Sequence, residues 1–171
     1  MHIEPATLAH CREIAEVHVL SWQRAYEDIL SAEYLSSLSV DRREIRWREA
    51  IADGAPQLLV AIANDRVAGF IAFGHSRDKD AQPRSAEIWA IYLSPDHWSQ
   101  GSGRALWLAA RQQLFAQGFA SITLWVLAGN ERARRFYAAA GFAPEPASAR
   151  EFMIGGARLS ELRYTSSCSG P

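Results

Sequence analysis

The chain has 171 residues, 49% of them apolar and 22% charged, with a formal charge of −1 at pH 7. That length makes one domain with a sizeable core the default, and the composition is that of an ordinary globular protein. The near-zero charge argues against a nucleic-acid binder, which needs a basic surface, and no apolar run approaches the roughly 18 residues of a membrane span.

The first ten residues, MHIEPATLAH, lack the basic and apolar stretches of a signal peptide. Cys11 and Cys168 form neither a metal-like spacing nor a disulfide framework. A reducing cytoplasm is the expected setting, and no metal is expected.

In chain order, His2-Ile3 reads as a short first strand, and Thr7 as the N-cap of a helix running to about Trp22. Leu8, Cys11, Ile14, Ala15 and His18 recur at helical spacing and predict its buried face. SWQRAYEDILSAEYL, from Ser21, continues as helix and turn. A charged helix over about Val40 to Ala52 ends near Gly54-Ala55-Pro56. LLVAIA and VAGFIAFG, joined at Asn64-Asp65, predict an antiparallel hairpin. SRDKDAQPRS, from Ser76 to Ser85, is a polar loop. AEIWAIYL, from Ala86, is the next strand, followed by a glycine loop and a helix from about Arg104 to Gln117. SITLWVL is a strand, and a helix opened by Asn130 stops at Gly141. The chain closes with REFMI, a Gly155-Gly156 turn and ARLSELRY, another hairpin. The expectation is one α/β (α+β) domain over residues 1–165: a mixed, mostly antiparallel, twisted sheet of six or seven strands with about four helices on its faces. A polar tail at 166–171 is expected to be disordered.

Two strand-to-helix junctions carry chemistry. In IYLSPDHWSQGSGRALWLAA the strand ends near Pro95 and the helix begins just after Gly101-Ser102-Gly103. Glycines at a helix start leave backbone N–H groups open at the positive end of the helix dipole, a site for phosphate. A bare G-x-G is also what a simple turn before a surface helix looks like. It is not a dinucleotide fingerprint, because Leu106 replaces the third glycine, and the Gly-Lys-Ser/Thr of a P-loop is absent. In WVLAGNERARRFYAAAGF, Asn130 is a good N-cap and Phe136 and Tyr137 suit a core, but the pattern N-x-x-A-x-x-F-Y-x-x-x-G-F allows more. Ala133 leaves room for a ligand beside the helix, and Tyr137 offers a phenol of ordinary pKa ~10 to a departing thiolate.

Glu87 is the one acid on the strand that leads into the glycine loop. Unbroken alternation would put it on one face with Trp89, Ile91 and Leu93. It reads either as a carboxylate at a solvent-facing strand end or as a base for an amine, which at a pKa near 10.4 is protonated in neutral water. Glu27, Asp28, His75 and His97 are alternatives.

These residues together resemble the GNAT superfamily of acyl-CoA N-acyltransferases. SPDHWSQGSGRAL is similar to its CoA pyrophosphate loop, usually Q/R-x-x-G-x-G/A, with Trp98 where Gln or Arg is usual. The resemblance implies a CoA site made of Trp98, Ser99, Gln100, Gly101, Ser102, Gly103, Arg104 and Ala105. Ile91, Tyr92 and Leu93 would meet the pantetheine arm, and Asn130, Ala133, Phe136 and Tyr137 form the second CoA motif. It implies a sheet splayed between its fourth and fifth strands, Tyr137 as general acid, and Glu87 as catalytic glutamate, six residues before Leu93 as in the histone-acetylating branch. SWQRAYEDIL resembles the first-helix region that lines the acceptor side in small bacterial members, so Trp22 and Tyr26 become acceptor-site residues or core aromatics. The implied reaction moves acetyl from acetyl-CoA to a primary amine, of a small molecule or of a protein N-terminus or lysine, in a ternary complex. The rival reading is a non-catalytic acyl-CoA sensor. No nucleic acid, membrane or metal partner is implied, and a homodimer is left open.

Overall fold

The computed structural model describes residues 1–167, in which seven strands form one sheet of order β1-β2-β3-β4-β5-β7-β6. In chain order the elements are β1 (His2–Pro5), α1 (Cys11–Ala25), α2 (Ala32–Ser36), α3 (Val40–Asp53), β2 (Gln57–Ala63), β3 (Arg66–His75), β4 (Ser85–Leu93), α4 (Ser102–Ala116), β5 (Ser121–Leu127), α5 (Glu131–Ala139), β6 (Ala143–Ile154) and β7 (Ala157–Ser167). All neighbours pair antiparallel except β4 and β5, which run parallel with α4 as their connection. The β2–β3 turn falls on Asn64 and Asp65, both in left-handed backbone at φ 51° and 59°, a conformation that Asn and Asp tolerate better than other non-glycine residues.

Alternation along the strands sorts the core onto two faces. Leu59, Ile71, Phe73, Ile88 and Ile122 meet Leu106, Trp107, Ala110 and Leu114 of α4 on one side. Val60, Phe70 and Ala72 meet Ile14 and Val17 of α1 on the other, with Trp47 and Ile51 of α3 behind them. Each such fully buried large side chain contributes roughly 1.5–3 kcal/mol. A third cluster joins Tyr26, Leu30 and Leu35 to Leu159, Phe152 and Ile154 of the last hairpin.

The expected α1 face holds for Cys11, Ile14, Ala15 and His18, all buried, but Leu8 is exposed. Leu8 belongs to a separate 3₁₀ turn, Leu8–His10, that precedes α1 and breaks the 3.6-residue phase. β6 begins at Ala143, earlier than the REFMI segment, and Pro144 and Pro146 lie within it. It is an edge strand, where a missing N–H costs no ladder bond, and its register shifts between Glu145 and Arg150. At the other end, Ser166 and Ser167 pair with Ile122 and Ser121 as the last residues of β7. The rest of the expected tail, 168–171, lies outside the described residues.

Two irregularities of β4 set the shape of the sheet at its centre. Phe73 pairs with Ile88 and Ala72 with Ala90, so Trp89 is an extra residue, a β-bulge. And β4 pairs with β5 only from Ser85–Ser121 to Ile88–Leu124, after which the sheet opens between them.

Candidate active site

The opening between β4 and β5 is a cleft of about 980 Å³, within the usual range for a ligand pocket. Its walls are the far ends of β4 and β5, the start of α4, the inner side of α5, and a cap built from the end of α1 and the β6–β7 hairpin. Among the described residues, backbone groups of β4 beyond Ile88 have no strand partner on the β5 side. Ile91, Tyr92 and Leu93 line the cleft there.

At the α4 end, Gly101 is the N-cap in left-handed backbone, φ 86°, where a β-carbon would cost roughly 1–2 kcal/mol. Ser99 is also left-handed, φ 60°. A β-carbon on Gly103 would lie 3.2 Å from Leu93 Cδ1 and 3.3 Å from Phe136 Cε2, so glycine is what lets α4 start between β4 and α5. Trp98 donates its indole N–H to the Leu93 carbonyl at 2.9 Å, which ties the loop to the end of β4. The Arg132 guanidinium lies 3.9 Å from the Trp98 ring centroid and donates to Ser99 Oγ at 3.0 Å.

Of the residues expected to form the CoA site, Trp98, Ser99, Gly101, Gly103 and Arg104 line the cleft; Gln100, Ser102 and Ala105 do not. Gln100 turns its amide to the Asp96 carbonyl, Ser102 is buried, and the Ala105 N–H is spent on Gly101 O at 3.0 Å as the first helical bond. The sequence reading missed Arg132 and Arg135, which also line the cleft. Their signal was the basic run Arg132, Arg134, Arg135 in the first turns of α5. With Arg104 they put three arginines in the lining of the cleft that also holds the open helix start, a fit for a pyrophosphate or phosphate, although Arg135 also pairs with Glu131 at 3.3 Å.

On α5, Asn130 Oδ1 accepts from Ala133 N at 3.0 Å, the N-cap expected of it. Asn130, Ala133, Phe136 and Tyr137 all face the cleft. Tyr137 packs edge-on against Phe136 and Phe142. Burial, assisted by neighbouring Tyr92, pushes its pKa up, so the phenol holds its proton at neutral pH. Burial likewise raises Tyr92 and Tyr26.

Trp22 and Tyr26 stack edge to face, centroids 4.9 Å apart, and both line the cleft while packing into the third cluster. They are thus packed aromatics that also face the cleft. The buried indole N–H of Trp22 has no hydrogen-bond acceptor among the described residues.

Glu87 is placed differently from either sequence expectation. Ala86 and Ile88 face α4, so Glu87 faces the other side, and the Trp89 bulge reverses the alternation beyond it. Glu87 therefore shares a face with Tyr92, not with Ile91 and Leu93. Its side chain is 3% exposed and is held by Arg77. Oε2 accepts from the Arg77 backbone N–H at 2.9 Å and from Nε at 3.1 Å, and Oε1 accepts from Nη2. Arg77 lines the cleft and Glu87 does not. Among the described residues the carboxylate in the cleft wall is Glu161 of β7, which lies on the same side of the strand as Leu159 and accepts from Arg150 Nε at 2.6 Å. Glu27 pairs with Arg24 and lines a separate shallow depression. His97 lines the main cleft, and His75 packs edge-on against Phe119.

No described helix is long and apolar enough to cross a membrane, and no group of three metal-ligating side chains occurs among the described residues.

Comparison with known proteins agrees with this geometry. The model of the acetyltransferase (GNAT) family matches residues 19–142, a span that holds both junctions. The uncharacterized N-acetyltransferase YuaI of Bacillus subtilis (strain 168) is 34% identical over 163 residues, 94% of this chain and 89% of YuaI. Among solved structures, the PaiA N-acetyltransferase of Thermoplasma acidophilum in complex with coenzyme A superposes with a TM-score of 0.75 at 22% identity, over 98% of this chain and 99% of that one. YncA of Salmonella typhimurium with its cofactor acetyl-CoA also gives 0.75, at 21% identity over 100% and 95% of the two chains. A sheet opened between its parallel strands, a glycine-started α4 and an N-capped α5 carrying a cleft-facing tyrosine thus sit in a sequence span that the family model matches, and the chain belongs to the GNAT family of acetyltransferases, acyl-CoA-dependent N-acyltransferases.

Proposed function

We propose that this protein transfers an acetyl group from acetyl-CoA to a primary amine by direct attack within a ternary complex. The observation that carries the reading is the shared cleft: the open helix start at Gly101–Gly103, the unpaired edge of β4 and the Tyr137 phenol all line it. Acetyl-CoA supplies an acyl group activated as a thioester. The N–H groups at the start of α4, with Arg104 and Arg132, would hold its pyrophosphate. Backbone groups of Ile91 to Leu93 would pair with the pantetheine arm, and an N–H there would stabilise the oxyanion.

The amine nitrogen, as the neutral base, attacks the thioester carbonyl. The C–N bond forms, the C–S bond breaks, and Tyr137 gives its proton to the departing sulfur. The nitrogen's surplus proton leaves to water or to Glu161, the carboxylate in the cleft wall. Glu87, out of the cleft and occupied by Arg77, holds that arginine in place in this scheme. Tyr137→Phe keeps the ring and removes the hydroxyl. Turnover should fall by about 10²–10⁴-fold with acetyl-CoA affinity within twofold of the native protein. Near-full turnover in that variant, with chemistry shown to be rate-limiting, would mean that water protonates the thiolate.

A further inference from the structure

The acceptor end of the cleft has a charge arrangement that selects among amines. The Arg77 guanidinium lies over Trp89, 4.2 Å from the ring centroid, and is held by buried Glu87. Arg150 lies on Trp125 at 3.5 Å, and its Nε is taken by Glu161. Its two terminal nitrogens have no partner among the described residues. The two arginines are linked through one short path: Asp78, next to Arg77 in the chain, accepts the Trp125 indole N–H at 2.9 Å. Stacking and ion pairing fix both guanidinium planes before anything binds, the arrangement that receives a carboxylate with little ordering cost.

The acidic residues that would attract a polycation are already engaged. Arg163 binds Asp80 through both terminal nitrogens, at 2.7 and 2.9 Å, and also reaches Asp78 at 3.3 Å and Glu145 at 2.8 Å. What remains in the wall is Glu161, set beside Arg150: a fixed negative group next to fixed positive ones. The tip of the β6–β7 hairpin packs directly on α2, so tightly that a β-carbon on Gly155 would lie 2.5 Å from Tyr34 Cγ. Leu30, Phe152 and Ile154 give that end an apolar lining. Trp22 adds a buried donor without an acceptor in the same wall.

We propose that the acceptor is a small zwitterionic amine, an amino acid with an apolar side chain, whose carboxylate is received by Arg150 and Arg77 and whose nitrogen is directed to the thioester beside Glu161. The assignment rests on the transferase reading above. A polyamine meets two arginines instead of an acidic wall.

The test is CoA release from acetyl-CoA with L-leucine and L-phenylalanine, their primary amides, spermidine, and a tripeptide with a free N-terminus. Inhibition by N-acetyl-L-leucine is compared with that by N-acetyl-L-leucinamide, a pair without an amine to titrate. The free acids should be the substrates, and the N-acetylated acid should inhibit about 10- to 100-fold more tightly than its amide, the range of a hydrogen-bonded charge. Arg150→Gln should raise KM for the amino acid by about the same factor and leave that for acetyl-CoA within twofold. Arg150→Lys, which keeps the charge and loses the fork, should fall between. Equal inhibition by acid and amide, an unchanged KM in folded Arg150→Gln, or preference for spermidine or the tripeptide would overturn this assignment while leaving the transferase standing. CoA release with none of the amines would overturn both.

Discussion

Arg77→Met should destabilise the fold more than Glu87→Gln, although the two residues form one ion pair. Burial is divided unequally between them: the Glu87 side chain is 3% exposed and that of Arg77 is 54%. Removing the guanidinium strands a carboxylate in the sheet with one backbone N–H left to it. Breaking a buried pair in this way costs about 3–5 kcal/mol, a large share of the 5–15 kcal/mol typical of a whole domain. Glu87→Gln leaves the arginine as the orphan, and the arginine can turn to water. The glutamine oxygen can still accept from the residue 77 N–H, so the loss is about 1–2 kcal/mol, the scale of one or two hydrogen bonds. Urea unfolding followed by far-UV circular dichroism at pH 7.5 reads both costs from the shift in midpoint. Equal costs, or a greater cost for Glu87→Gln, would refute the reasoning from burial. The same variant separates positioning from base catalysis. If Glu87 only holds Arg77, the loss in kcat/KM is the same from pH 6.5 to 9. A loss that shrinks as pH rises, when free amine forms unaided, would make Glu87 the base after all.

Gly103→Asp places bulk between Leu93 and Phe136, and a negative charge at the α4 start, where a β-carbon already comes within 3.3 Å of both neighbours. Calorimetry with CoA should show affinity reduced by about tenfold or more, with a native far-UV spectrum; unchanged affinity in the folded variant would remove the pyrophosphate from this loop. His18 is buried under Trp47 and Tyr92, its Nδ1 accepting from the Trp47 indole at 3.1 Å. Burial, then the charges of Arg43 and Arg46, push its pKa down to about 3. The unfolded chain protonates a histidine near pH 6.5, so below that pH the unfolded state binds the extra proton. The stability held by neutral His18 is complete above about pH 6.5 and is lost as pH falls toward 3, by about 2 kcal/mol between pH 7 and 5. His18→Asn, whose oxygen can take the Trp47 N–H, should lack this part of the pH dependence; parallel stability curves for the two proteins would disprove it.

What the sequence determined by itself was local. Continuous apolar runs marked β2 and β3, Asn64-Asp65 marked their turn, and Gly101, Gly103 and Asn130 marked two helix starts, because each depends on residues within one turn or one strand. The residues on which the proposed chemistry rests lie in the same short segments: the glycines at one helix start, and the tyrosine just under two turns into another. Tertiary structure decided the rest. The Trp89 bulge, visible only as a mismatch with β3, reversed the face on which Glu87 lies. Arg77 then occupied that carboxylate from a loop ten residues away, and Arg150 and Glu161 came into the cleft from the final hairpin. Alternation says which residues share a face only while register is unbroken, and it never says which ions meet across a fold. Those partners are set by strand order, in which β7 inserts between β5 and β6 and brings Glu161 opposite Leu127 at the edge of the opening.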